Sequence, residues 1–175
     1  MKARPEAGEF NPYYGKYIDL VPDGDIVKTL TQQLPETLSL LESIPEDRAG
    51  YRYAEGKWSV KELLGHVTDA ERLFVYRALC IARGDTQSLP GFEEDEYVRG
   101  ASFDSLPLAK IIAEFETVRA ATLSFFDNLN DAAWKKKGTA NGSGVTVRAL
   151  AYILAGHERH HRQVLRERYA GALKS

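Results

Sequence analysis

Apolar residues recur at helical spacing in four long stretches of the chain. Ile26, Leu30, Leu34, Leu38, Leu41 and Ile44 predict a helix over about 25–44, with Asp25 as its N-cap and a kink or break at Pro35. Ser59-Val60-Lys61-Glu62 is a capping box that opens a second helix, with Trp58 and Leu63 as its hydrophobic staple. Val60, Leu63, Leu64, Val67, Ala70, Phe74 and Ala78 form the buried stripe of that helix, and Arg83-Gly84 marks its end. Leu108, Ile111, Ile112, Phe115, Val118, Leu123, Phe126 and Leu129 predict a third helix over 106–129, with Pro107 in its first turn. A fourth, over 146–169, begins at Thr146 and buries Val147, Leu150, Leu154, Val164 and Leu165.

The intervening segments lack this rhythm. Residues 1–24 are irregular and rich in tyrosine (Tyr13, Tyr14, Tyr17), which suits a segment lying across apolar surface. Residues 84–104 carry Pro90, Gly91 and the acidic run Glu93-Glu94-Asp95-Glu96, which reads as a solvated loop. Twenty residues reach about 60 Å when extended, so the second and third helices need not be antiparallel neighbours. No stretch alternates like a strand and nothing repeats. The pattern is therefore that of one all-α domain over 1–175, a four-helix bundle.

Composition changes this picture little. The formal charge of −2 and the absence of a basic stripe exclude nucleic acid as an expected partner. No apolar run approaches the ~20 residues that span a bilayer, so a membrane is not expected either. A single cysteine, Cys80, precludes an intrachain disulfide and reads as a small core hydrophobe. With no apolar signal segment near Met1, the expectation is a cytoplasmic protein.

The histidines change it more. His157 and His161 are four residues apart, and both fall in the middle of the buried stripe of the fourth helix. Buried imidazoles need partners. A carbonyl or carboxylate would serve, and so would a shared metal ion; spacing alone leaves both readings open. His66 lies roughly 90° from the centre of the second helix's stripe on a wheel of 100° per residue. A structural or exposed role fits that position as well as a ligand role does. His157-Glu158-Arg159-His160-His161 also matches H-E-x-x-H, in which Glu158 would be a general base. With no further histidine downstream and no pattern for a substrate-binding sheet, a zinc protease is not the expected reading.

Two longer motifs carry a family resemblance. Trp58-Ser59-Val60-Lys61-Glu62-Leu63-Leu64-Gly65-His66-Val67-Thr68-Asp69-Ala70-Glu71 resembles the second-helix motif of the DinB/YfiT-like superfamily, and Ala155-Gly156-His157-Glu158-Arg159-His160-His161-Arg162-Gln163 resembles its C-terminal motif. Asn11-Pro12-Tyr13-Tyr14-Gly15-Lys16-Tyr17-Ile18 and Glu116-Thr117-Val118-Arg119 are also similar to the YfiT-like branch. The resemblance implies a long crossover between the second and third helices and a metal triad at His66, His157 and His161, holding zinc, nickel or iron. It implies frequent homodimers. It further implies either a thiol-dependent transferase or isomerase, using a low-molecular-weight thiol such as bacillithiol or mycothiol, or a metal-dependent hydrolase.

On that basis the expected function is activation of a small thiol for S-transfer to a small electrophilic substrate. Hydrolysis by metal-bound water is the alternative, and a non-enzymatic metal- or ligand-binding bundle is a third. Asp69 and Glu158 are candidates to orient ligands or move protons, each against the simpler reading of a surface charge. Arg119 and Arg162 are candidates to hold an anionic group.

Overall fold

The computed structural model describes residues 3–173. Four long helices form its body: α2 (Ile26–Glu42), α3 (Val60–Arg83), α5 (Leu108–Asp127) and α7 (Val147–Arg168). Three shorter ones are α1 (Gly15–Ile18), α4 (Glu94–Gly100) and α6 (Asp131–Trp134). α3 packs against α5 and α7, and α2 packs against the same two, so α2 and α3 lie across a diagonal of the bundle.

The helix ends follow their capping residues. The Asp25 carboxylate accepts from the Val27 and Lys28 amides. Ser59 and Glu62 form the reciprocal capping box, and Gly84 closes α3 at φ 91°. The Thr146 hydroxyl accepts from the Ala149 amide. Pro107 is the N-cap of α5, just outside the helix. The break allowed at Pro35 does not occur. α2 is continuous through it, because Leu30, Gln33, Thr37 and Leu41 are all buried and hold the helix to its neighbours.

The all-α expectation is incomplete. A small sheet joins β1 (Ser88–Leu89), β2 (Lys137–Ala140) and β3 (Ser143–Thr146). β1 pairs parallel to β2, and β2 pairs antiparallel to β3. The hairpin turn is Asn141-Gly142, with φ of 49° and 70°, the left-handed pair that a two-residue turn of this kind requires. The acidic run is also more than a loop: Glu94, Asp95 and Glu96 form the first turn of α4, where carboxylates favour the helix dipole. No helix among the described residues is long and apolar enough to cross a membrane.

The N-terminal segment is folded onto the bundle by polar contacts. The Asn11 amide donates to the Ser143 hydroxyl at 2.9 Å, and Glu9 accepts from Thr146 at 2.7 Å and from Arg148. α1 lies on α7, where Gly156 makes the close approach possible: a Cβ there would run into the Tyr17 carbonyl. Gly65 plays the same part on α3, since a Cβ would enter the Phe103 ring. Each of these glycines immediately precedes a histidine.

Candidate metal centre

α3 and α7 are direct neighbours, and this brings His66 to His157 and His161. The His157 Nε2 lies 3.1 Å from the Nε2 of His66 and 3.1 Å from that of His161. The candidate ligand atoms all fall within 4.8 Å of one another. His66 and His157 are 2% and 5% exposed, and His161 is half-buried. His66 is thus fully inside, unlike its expected place at the edge of the stripe. α3 is buried on most of its circumference, because Trp58 and α4 cover what the bundle does not.

Burial holds all three imidazoles neutral. It lowers His66 to about 4, with the charge of Asp95 opposing, and it depresses His157 and His161 well below the usual value. The mutual repulsion of the histidines adds to that depression. Neutral imidazole is the form that donates a lone pair to a metal.

The donor set also fits a metal on its own chemistry. A neutral Nε2 carries either one proton or one lone pair. His157 Nε2 can therefore make a good hydrogen bond to only one of its two close neighbours. A cation within reach of all three lone pairs removes the conflict. Two ligands about 2.0–2.1 Å from one ion stand roughly 3 Å apart, which is the spacing seen here. The His161 Nδ1 is buried without a hydrogen-bond partner among the described residues, so this cluster is not satisfied internally.

Aromatic rings wall the cluster. Trp58 is tilted over His66 at 4.7 Å between centroids. Tyr17 meets His157 and His160 edge-on at 5.4 Å each, and Phe74 meets His157 at 5.8 Å. Two cavities reach the cluster. One, of about 370 Å³, is lined by His66 and His157 together with Tyr14, Tyr17, Phe74 and Arg77. The other, of about 410 Å³, is lined by His160, His161 and Trp58. Glu94 lines both, and its carboxylate oxygen is 3.9 Å from His66 Nε2. Burial and the neighbouring Asp95 push the Glu94 carboxyl up from its ordinary range.

The other sequence candidates lie elsewhere. Asp69 pairs with Arg72 at 3.0 Å, one turn along its own helix. Glu158 is 2% exposed and turns away into a buried ionic cluster. There it accepts from Arg119 at 2.8 Å, from Gln33 at 2.6 Å and from Thr37. Arg119, fully buried, also clasps Glu71 through two bonds of 2.8 and 2.7 Å. Arg162 bonds Thr37 and pairs with Glu36 at 2.9 Å. Neither arginine lines a cavity that reaches the histidines. Sequence reasoning missed Glu94 and Arg77. The signal for Arg77 was present: His66, Ala70, Phe74 and Arg77 fall on one face of α3 by their spacing.

Bundle and site together define a four-helix protein with a three-histidine candidate metal centre open to solvent-accessible cavities. The chain belongs to the DinB superfamily, whose family profile matches residues 29–165. A relative from Oceanobacillus iheyensis, named "putative metal-dependent hydrolase", is 25% identical over 77% of this chain and 76% of its own. YfiT from Bacillus subtilis, described as having an unusual four-helix bundle topology, superposes with a TM-score of 0.65 at 13% identity, over 93% of this chain and 91% of its own. A mycothiol-dependent maleylpyruvate isomerase reaches a TM-score of 0.65 at 14% identity, over 78% of this chain and 58% of its own. These structural likenesses are of fold.

Proposed function

We propose that this chain is a divalent-metal enzyme in which His66, His157 and His161 hold one ion, and that its reaction is S-transfer from a low-molecular-weight thiol to a small electrophile. The observation that carries the reading is the convergence of three neutral imidazole nitrogens that cannot satisfy one another, at a point reached by two cavities. Zinc, nickel or iron bound there would supply Lewis acidity, lowering the pKa of a thiol or water brought against it.

The chain's own residues supply the rest. His66 and His157 present the site to one cavity, and His161 presents it to the other. Trp58, Tyr17 and Phe74 exclude water around the imidazoles, which strengthens electrostatic interactions inside. Glu94, which lines both cavities and lies 3.9 Å from His66 Nε2, is a carboxylate within reach of a molecule at the cluster.

Hydrolysis is the second reading, favoured by the sequence relatives, which are named as metal-dependent hydrolases. The mycothiol-dependent maleylpyruvate isomerase that shares the fold supports the thiol reading instead. Incubating metal-loaded protein with a small thiol and a panel of epoxides and alkyl halides separates the two. Thiol consumption above the metal-free background supports S-transfer. Turnover that does not need thiol supports hydrolysis.

A further inference from the structure

The cavity lined by His66 and His157 contains a buried cation without a countercharge. Arg77 is 4% exposed, yet no carboxylate lies within ion-pair distance of it among the described residues. Its one described hydrogen bond goes to the Pro90 carbonyl at 2.7 Å. A guanidinium carries five N–H donors and keeps its proton in proteins, so most of its capacity is unused. Arg119, equally buried, is matched by two carboxylates. A buried unpaired charge is costly unless something else compensates it. Here the fixed compensation is a carbonyl and the faces of Phe74 and Phe92, 6.0 and 5.9 Å from the guanidinium carbon.

The cavity is polarised along its length. Phe74 links its two ends, its ring being 5.8 Å from the His157 ring and 6.0 Å from the Arg77 guanidinium carbon. Asn11, Asn141 and Ser143 add hydrogen-bonding groups to the lining. Of the two acidic residues there, Glu94 lies against His66, and Glu93 is exposed. An anionic group therefore meets repulsion near Glu94 and an unpaired cation at Arg77.

We propose that Arg77 anchors the carboxylate of the small molecule that binds the histidine cluster, so that the site takes carboxylate-bearing compounds whose two ends lie on either side of the Phe74 ring. This rests on the metal reading given above. Arg77 bonds the carboxylate oxygens, the aromatic ring packs on the intervening chain, and the far end reaches the cluster. The carboxylate belongs either to the thiol or to its electrophilic partner.

The test uses the full chain loaded with cobalt(II), whose absorption reports a thiolate ligand. The probes are 6-mercaptohexanoate and 6-mercaptohexanol, alike in length and different in charge. The carboxylate is expected to bind about tenfold more tightly than the alcohol. Arg77→Gln should bring the two affinities within about twofold, and Arg77→Lys should restore part of the preference. Equal affinities in the parent protein, or a preference that survives in a folded Arg77→Gln variant, would overturn the anchor and leave the metal reading standing. If Arg77→Gln does not fold, Arg77→Lys stands in for it: a preference smaller than the parent's supports the anchor, and an unchanged one counts against it. Absence of any thiolate band with either probe would sink the open metal centre, and the anchor with it. Hexanoate, which lacks the sulfur, checks the anchor independently: it should compete with 6-mercaptohexanoate in the parent, and failure to compete at any concentration would count against the anchor.

Discussion

Two buried polar clusters lie side by side in this bundle and share helices α3 and α7. His66 and Glu71 come from α3, and His157 and Glu158 are adjacent on α7. The carboxylates meet Arg119 and are saturated, with Gln33 and Thr37 taking up further oxygen lone pairs. The imidazoles make their close polar contacts with one another and are not, and His161 Nδ1 has no partner among the described residues. His66 and His157 are as deeply buried as the carboxylates, so burial alone does not separate the two clusters. Satisfaction does: the closed cluster fixes the helices relative to one another, and the open one is the cluster proposed to hold an ion.

That contrast predicts opposite mutational signatures. The largest effect falls on the closed cluster. Arg119→Met leaves two buried carboxylates without a cation and should cost about 3–5 kcal/mol in chemical denaturation. Neutralising Glu71 and Glu158 in the same protein should recover more than half of that loss. If the single variant lost under 1 kcal/mol, the cluster would not be what holds α3, α5 and α7 together.

Gly156→Ala tests the approach that seats Tyr17 on His157. Alanine gains about 1 kcal/mol of helix propensity over glycine. The new methyl meets the Tyr17 backbone, which has little freedom to yield. The clash should win, giving a net loss of about 1–3 kcal/mol by thermal or chemical melting, with weaker metal retention.

The peripheral pair Glu9–Arg148 marks the smaller end of the scale. Burial pushes the Glu9 carboxyl up, but hydrogen bonds from Arg148 and Thr146 outweigh it and hold the group at about 2. A carboxyl depressed below its ordinary 4.5 stabilises the fold above that pH, and the contribution disappears as pH falls from 4.5 through about 2. Glu9→Gln should therefore cost about 1 kcal/mol at pH 7, with the gap to the parent closing in acid. A gap independent of pH would contradict the assignment.

The smallest effect belongs to the open cluster in metal-free protein. His161→Ala removes a half-buried imidazole whose Nδ1 is already unpartnered, and should change apo stability by less than about 1 kcal/mol.

The four helices and their ends were legible because each rests on local chemistry: Asp25, Ser59 with Glu62, Gly84 and Thr146 cap as their residue types require. His157 and His161 were legible as an inward pair on one helix face. The position of His66 was not, since a wheel measures one buried stripe and α3 is covered on several sides. The sheet was missed because its strands are two to four residues long, although Asn141-Gly142 was a hairpin signal in plain sight. Glu158 and Arg119 show the deeper limit. A charge on a helix does not reveal whether its partner waits across the bundle or has yet to bind, and for these two the partners come from helices far apart in sequence.

The most direct test is metal content by elemental analysis, with affinity by competition, on the parent protein and on His157→Ala. The account predicts about one divalent ion per chain in the parent, and an affinity at least about 100-fold lower in a folded His157→Ala. A parent that takes up no ion after loading with zinc, nickel or iron, or a His157→Ala variant that holds it as tightly, would contradict the three-histidine centre.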